Sequence, residues 1–223
     1  MYSLKVSSVV DYLNCVISYN GAQAIRYIEY SLSAPLMVVA IGLSFGILDV
    51  YTLIALGVFT SSCNLFGLAA DVFRVQARDA YILQELVSQA GPIAYDFRDV
   101  LQQMSKSLKK YMYVFHFVGW FLIIIPWALI WVVFFALYHQ QNDEICGTRP
   151  MGDRQMPAEV LYLNFGEATL FALFGLVQFV QMMFYFEDNS LSLGTKVEFA
   201  FVALSLIAKS SLGMVIFSSS LFT

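Results

Sequence analysis

Lys209 stands near the middle of an apolar run, Val197–Phe217 (VEFAFVALSLIAKSSLGMVIF), flanked by Leu206, Ile207, Ala208 and Leu212. At a rise of about 1.5 Å per residue this run is long enough to cross a bilayer. A lysine at that depth costs at least about 2.5–3.5 kcal/mol, and the depth argues against a side chain that snorkels to the interface. Two kinds of chemistry offset the cost. One is a carboxylate partner. The other is covalent conversion to a Schiff base, because a desolvated amine gives up its proton more readily and becomes nucleophilic. The bland alternative is a lysine that pairs inside a helix bundle and does nothing more.

Glu29 is a candidate partner. It lies one turn into another apolar run, just after Arg26, and Ser33 shares its face four residues on. The competing reading is an interfacial glutamate paired with Arg26. Ser205 precedes Lys209 by one helical turn, so its hydroxyl can reach a group carried by the lysine. In a further run, Phe171, Phe174, Gln178 and Gln181 fall within about 40° of Glu167 when each residue advances by about 100°. A stripe of one carboxylate, two aromatics and two amides must face a bundle interior. Thr60, Cys63, Asn64 and Gly67 also follow helical spacing, but small polar stripes of that kind are more often helix-packing faces than ligand sites. The assembled expectation is an apolar, aromatic cavity with one lysine, one carboxylate and a few hydroxyls and amides. That suits a long conjugated apolar ligand held covalently. Hydrolysis is disfavoured, since no Ser-His-Asp set, metal cluster or phosphate-cradling glycine loop is visible.

The elements that must position these residues are transmembrane helices. Of the 223 residues, 59% are hydrophobic and 13% charged, too apolar for an ordinary soluble domain, which carries about 25% charged residues. The apolar residues cluster into long runs rather than the alternating segments of about ten residues that a barrel needs. Five spans are predicted: Ile25–Leu48, Tyr51–Phe73, Tyr111–Tyr138 (with Pro126, Trp120, Trp127 and Trp131), Ala158–Phe186 and the lysine helix. Asp49 falls in the turn between the first two. Between the second and third spans, Arg74–Lys110 is polar, yet Ile82, Leu83, Leu86 and Val87, then Val100, Leu101, Met104 and Leu108, recur at helical spacing around a Gly91-Pro92 break. Two short amphipathic helices on the membrane surface or capping the bundle are expected there, with a partner-docking surface as the functional alternative.

Nine lysines and arginines (Lys5, Arg26, Arg74, Arg78, Arg98, Lys106, Lys109, Lys110 and Lys196) fall on one side of these spans and only Arg149 and Arg154 on the other. Positive charge therefore predicts a cytoplasmic N-terminus, an extracellular C-terminus and an extracellular loop over residues 139–157. The net charge of −4 suggests no nucleic-acid partner. Cys15, Cys63 and Cys146 show no metal-ligand spacing and no disulfide framework. His116 and His139, near opposite ends of one span, read as interfacial. Residues 1–24 are too polar to span and lack a signal-peptide pattern.

Five passages resemble heliorhodopsins, retinal proteins whose topology is inverted relative to microbial pump rhodopsins. IRYIEYSLS (Ile25–Ser33) is similar to the start of that family's third helix and NLFG (Asn64–Gly67) to its fourth. IPW (Ile125–Trp127) resembles the fifth, LVQFVQ (Leu176–Gln181) the sixth and LSLIAKS (Leu204–Ser210) the retinal helix. The resemblance implies an all-α membrane protein, a rhodopsin-like helix bundle with five spans here out of a seven-helix family fold. Residues 1–24 resemble only the end of the second helix and the loop after it, and residues 25–223 the rest of the retinal-binding bundle. One wall of the pocket would then stand open unless another chain closes it.

The same resemblance implies all-trans retinal covalently bound to Lys209 as a protonated Schiff base, with Glu29 as its counterion. Ser205 and Ser33 would hydrogen-bond around them. Tyr30, Cys63, Gly67, Pro126, Trp127, Phe171, Phe174 and Gln178 would fall near the polyene or its ring. Pump rhodopsins carry an aspartate where this chain has Ser205, and where a pump keeps a second acid, eleven residues beyond Glu29, stands Ala40. A light sensor in the lipid bilayer is therefore expected in place of a pump or an enzyme, with a cytoplasmic signalling partner and a homodimer as its expected associations. Glu167 lies outside the family pattern and keeps a light-gated proton or cation channel as a rival. A truncated or non-chromophoric scaffold, with Lys209 simply paired to Glu29 or Glu167, is the other.

Overall fold

The computed structural model describes the backbone over residues 26–88, 95–146, 158–184 and 190–221, and side chains over 26–88, 97–136, 164–184 and 196–214. Residues 1–25, the Gly91-Pro92 break, residues 147–157 and the side chains of Cys15, His139 and Cys146 lie outside these, and residues 139–146, expected to begin a loop, are helical. Every regular element among the described residues is helical. We label them α1 (Arg26–Ser44), α2 (Val50–Ser88), α3 (Tyr95–Cys146), α4 (Ala158–Phe184) and α5 (Ser190–Leu221). All five are long and apolar enough to span a membrane, so this is an integral membrane protein built as a helical bundle.

The short link between α1 and α2 is set by its own residues. Gly46 takes a positive φ of 78°, open to glycine without strain. Ile47 N–H then donates to Gly42 O at 3.0 Å and Gly46 N–H to Leu43 O at 2.9 Å, closing α1 with a Schellman turn. The helix therefore stops at Ser44, four residues before the expected end. Asp49 caps α2. Its carboxylate accepts from the Thr52 hydroxyl at 2.6 Å and the Thr52 N–H at 2.7 Å. Those hydrogen bonds, the hydroxyl first and the backbone N–H next, hold the Asp49 carboxyl below the usual aspartate range.

The Arg74–Lys110 region differs from its expectation. It does not form two separate short helices. Its described residues continue α2 and α3 without interruption, giving helices of 39 and 52 residues. A bilayer core takes about 20 residues, so both helices extend well beyond it. The extensions are held to each other. Ala77 and Ala80 on α2 are buried, as are Leu101 and Ser105 on α3, and Ser105 Oγ donates to Ala77 O at 3.1 Å. Small alanines at this spacing let two helix axes approach closely, while Leu83, Leu86, Val100 and Met104 of the apolar stripe stay exposed.

Arg74 and Arg26, which the sequence presents as flanking charges, are both buried. Arg74 pairs with Asp71 one turn before it at 2.6 Å. Arg26 on α1 bridges to Glu198 on α5 at 2.6 Å and lays its guanidinium over the Phe201 ring, 4.1 Å from the centroid. These contacts tie α1 to α5 at one end of the bundle. Toward the other end, Val38, Ile41, Phe45, Leu56, Trp127, Ile130, Phe134 and Leu212 form an apolar core shared by α1, α2, α3 and α5.

Candidate functional site

Between the charged end and the apolar core lies a cavity to which every helix contributes one stripe. From α1 come Tyr27, Tyr30, Ser33 and Met37, and from α2 Cys63, Asn64 and Gly67. The α4 stripe is Phe171, Phe174, Gly175 and Gln178; that of α5 is Phe201, Ser205, Ala208 and Lys209. His116, Gly119, Trp120 and Ile123 complete it from α3. Most of these sets follow the spacing of three and four residues that puts side chains on one helical face. The empty space is about 900 Å³ including its open side.

Lys209 Nζ hydrogen-bonds Glu29 Oε1 as an ion pair. The competing partner for Glu29, Arg26, is engaged by Glu198 instead. The Tyr30 ring centroid lies 5.9 Å from Lys209 Nζ. Tyr30 meets Phe174 edge-on at 5.5 Å, and Phe174 stacks on Phe201 at 6.0 Å. The amine thus opens onto an aromatic wall. On its outer side the pair is not covered by the described residues, with 40% of the Lys209 side chain and 53% of the Glu29 side chain accessible.

At the other end of the cavity the polar groups are tied down. Gln178 Nε2 donates to Tyr27 Oη at 2.8 Å and to Gly67 O at 2.9 Å. Asn64 Nδ2 donates to Tyr30 O at 3.2 Å and to Thr60 O at 3.1 Å. The Thr60–Gly67 stripe therefore serves both as the α1–α2 packing face and, through Cys63, Asn64 and Gly67, as cavity wall. Trp120 packs so closely on Gly175 that a Cβ there would stand 2.5 Å from Trp120 Cζ2.

Of the residues singled out in the sequence, Lys209, Ser205, Ser33, Tyr30, Cys63, Gly67, Phe171, Phe174 and Gln178 line this one cavity, and Glu29 closes on Lys209 beside it. Pro126 and Trp127 do not line it. They continue the α3 stripe one turn beyond Ile123, past the cavity's end, where Trp127 meets Phe171 edge-on at 5.7 Å. His116 is not interfacial. It is 2% exposed, accepts from Trp120 Nε1 at 3.0 Å and stacks on Phe179 at 5.7 Å. The long α3 carries it inside the bundle, and its spacing of four from Trp120 is the signal that sequence reading passed over. Tyr27, Met37, Ile123 and Phe201 are further wall residues that the sequence did not single out, and Asn64, read there as part of a packing stripe, lines the cavity too.

The α4 stripe faces inward, with Glu167, Gln178 and Gln181 all buried. Glu167 accepts from Ser211 Oγ on α5. Ser211 and Lys209 are two residues apart, so they point to opposite sides of α5. Glu29 and Glu167 accordingly flank α5 on different faces.

The heliorhodopsin family model matches residues 10–95, a stretch that includes α1, α2 and with them Glu29, Tyr30, Ser33, Cys63 and Gly67. The resemblance drawn from the sequence is borne out over that stretch, which ends before α4 and α5 and does not include Lys209. No curated protein and no solved structure matches the chain.

Proposed function

We propose that the chain is a heliorhodopsin-like photoreceptor that carries all-trans retinal on Lys209 as a protonated Schiff base with Glu29 as its single counterion. The observation that carries this reading is the Lys209–Glu29 pair at the mouth of an aromatic cavity. The residues fit the group: a primary amine for the linkage, one carboxylate beside it, and a wall of Tyr30, Phe171, Phe174, Trp120 and Phe201 for an apolar conjugated chain. Retinal, once bound, supplies visible absorption and a light-driven change of shape.

Glu29 holds positive charge at Lys209 Nζ, because an anion in contact stabilises a cation wherever the dielectric is low. Ser205 and Ser33, both on the cavity wall, supply hydroxyls near that charge. The aromatic wall excludes water from the rest of the site. On the charge pattern of the sequence, the α2–α3 extension lies in the cytoplasm, where Leu86, Phe97 and Val100 are exposed and offer a signalling partner an apolar foothold.

The test is expression in the presence of all-trans retinal. A visible absorbance band is expected in the wild-type protein and none in Lys209→Ala. Colour that survives in Lys209→Ala, or its absence in folded wild type, removes the reading.

A further inference from the structure

Two carboxylates flank α5 at nearly the same depth, since Lys209 and Ser211 are separated by a rise of only about 3 Å. Their surroundings differ. Glu29 has a cation, Lys209, in direct contact. Glu167 has none. It is 1% exposed, its Oε1 accepts from the neutral Ser211 hydroxyl, and its Oε2 has no partner among the described residues. One turn away on the same face of α4, Asn164 is fully buried with both amide atoms unpartnered. Among the described residues, the contacts of this stretch are Ser211 from α5 and, through Phe171 on the same face, Trp127 from α3. None of these titrates in the ordinary range. The charged residues of α1, Arg26 and Glu29, are engaged by Glu198 and Lys209.

An isolated carboxylate in such a place is far more costly than a neutral acid. We propose that Glu167, with Ser211 and Asn164, forms a proton-binding site inside the membrane, separate from the Lys209 cavity, and that its carboxyl is protonated in the resting protein. Asn164 and Glu167 both have polar atoms left over, so one internal water can join them. The site needs no chromophore to exist. It therefore stands or falls independently of retinal binding.

The experiment is infrared spectroscopy of the full chain in lipid nanodiscs at neutral pH, wild type against Glu167→Gln. Glutamine is the neutral isostere of the protonated acid, so the variant is expected to fold. The difference spectrum should show loss of one carbonyl stretch of a protonated carboxylic acid, sensitive to deuterium exchange. Ser211→Ala should move that band to higher frequency by removing its hydrogen-bond donor. Loss of carboxylate stretches in place of the acid band would overturn the proposal. So would an acid band that disappears when sodium chloride is raised, because a metal cation then holds the site. Should Glu167→Gln misfold, wild-type protein carrying ¹³C-carboxyl glutamate gives the same decision: a resonance at the protonated-acid position supports the site, and carboxylate positions alone refute it.

Discussion

Lys209 on α5 and Glu29 on α1 are 180 residues apart in the chain and directly hydrogen-bonded in the fold. Neither helix holds a second charge at that level, so each residue is the other's compensation. Removing the carboxylate should destabilise positive charge at Lys209 Nζ. In retinal-loaded Glu29→Gln, the absorption maximum should shift. A visible spectrum measures it. An unchanged spectrum would remove Glu29 as counterion.

Gly175→Ala places a methyl group 2.5 Å from Trp120 Cζ2. Trp120 cannot retreat freely, because its Nε1 is held by His116. Overpacking of this kind costs about 1–3 kcal/mol, and here it also narrows the cavity. Lower thermal stability and a reduced yield of coloured protein are expected together. Gly166→Ala, where nothing lies within reach of the added Cβ, is the control.

Glu198→Gln leaves Arg26 buried without its anion. Breaking a fully buried pair costs about 3–5 kcal/mol, but Glu198 is partly exposed, which puts the effect below that range. Stacking on Phe201 should retain part of the interaction. A double-mutant cycle of Glu198→Gln with Phe201→Leu, read by thermal unfolding in nanodiscs, should give a non-zero coupling.

Asp49 is the α2 cap. Its carboxyl titrates lower in the fold than in the unfolded chain, because the Thr52 hydroxyl and N–H both favour the charged form. The cap's contribution is therefore present above the unfolded value of about 3.9 and is lost as pH falls through the lowered folded value. Asp49→Ala should lower the unfolding temperature at neutral pH. Its difference from wild type should shrink once the pH is acid enough to protonate Asp49 in the fold.

Much of this arrangement was legible in the sequence, and the reasons are physical. An intramembrane lysine and glutamate are costly enough alone that pairing was the natural expectation. The Glu167–Gln181 stripe could only face inward. The misreadings arise where a local pattern has two tertiary solutions. The apolar spacing in Ile82–Val87 and Val100–Leu108 suits a helix lying on a membrane or one paired with its neighbour. The buried Ala77 and Ala80 against Leu101 and Ser105 pair the two helices, but Leu83, Leu86, Val100 and Met104 of that spacing stay exposed. His116 looked interfacial because the polar residues before Tyr111 seemed to end the span. They end only its apolar part. Pro126 and Trp127 share the register of the cavity stripe, and sequence register does not say where along a helix the hollow ends.

The 52 residues of α3 make a rod about 78 Å long, clasped to α2 along much of its length. A rod of that kind acts as a lever. Tilting it by about 5° about its midpoint moves a tip about 39 Å away by about 3 Å. A displacement too small to disturb the packing around His116 and Trp120 would thus arrive at the far end of the hairpin enlarged to the size of a side chain.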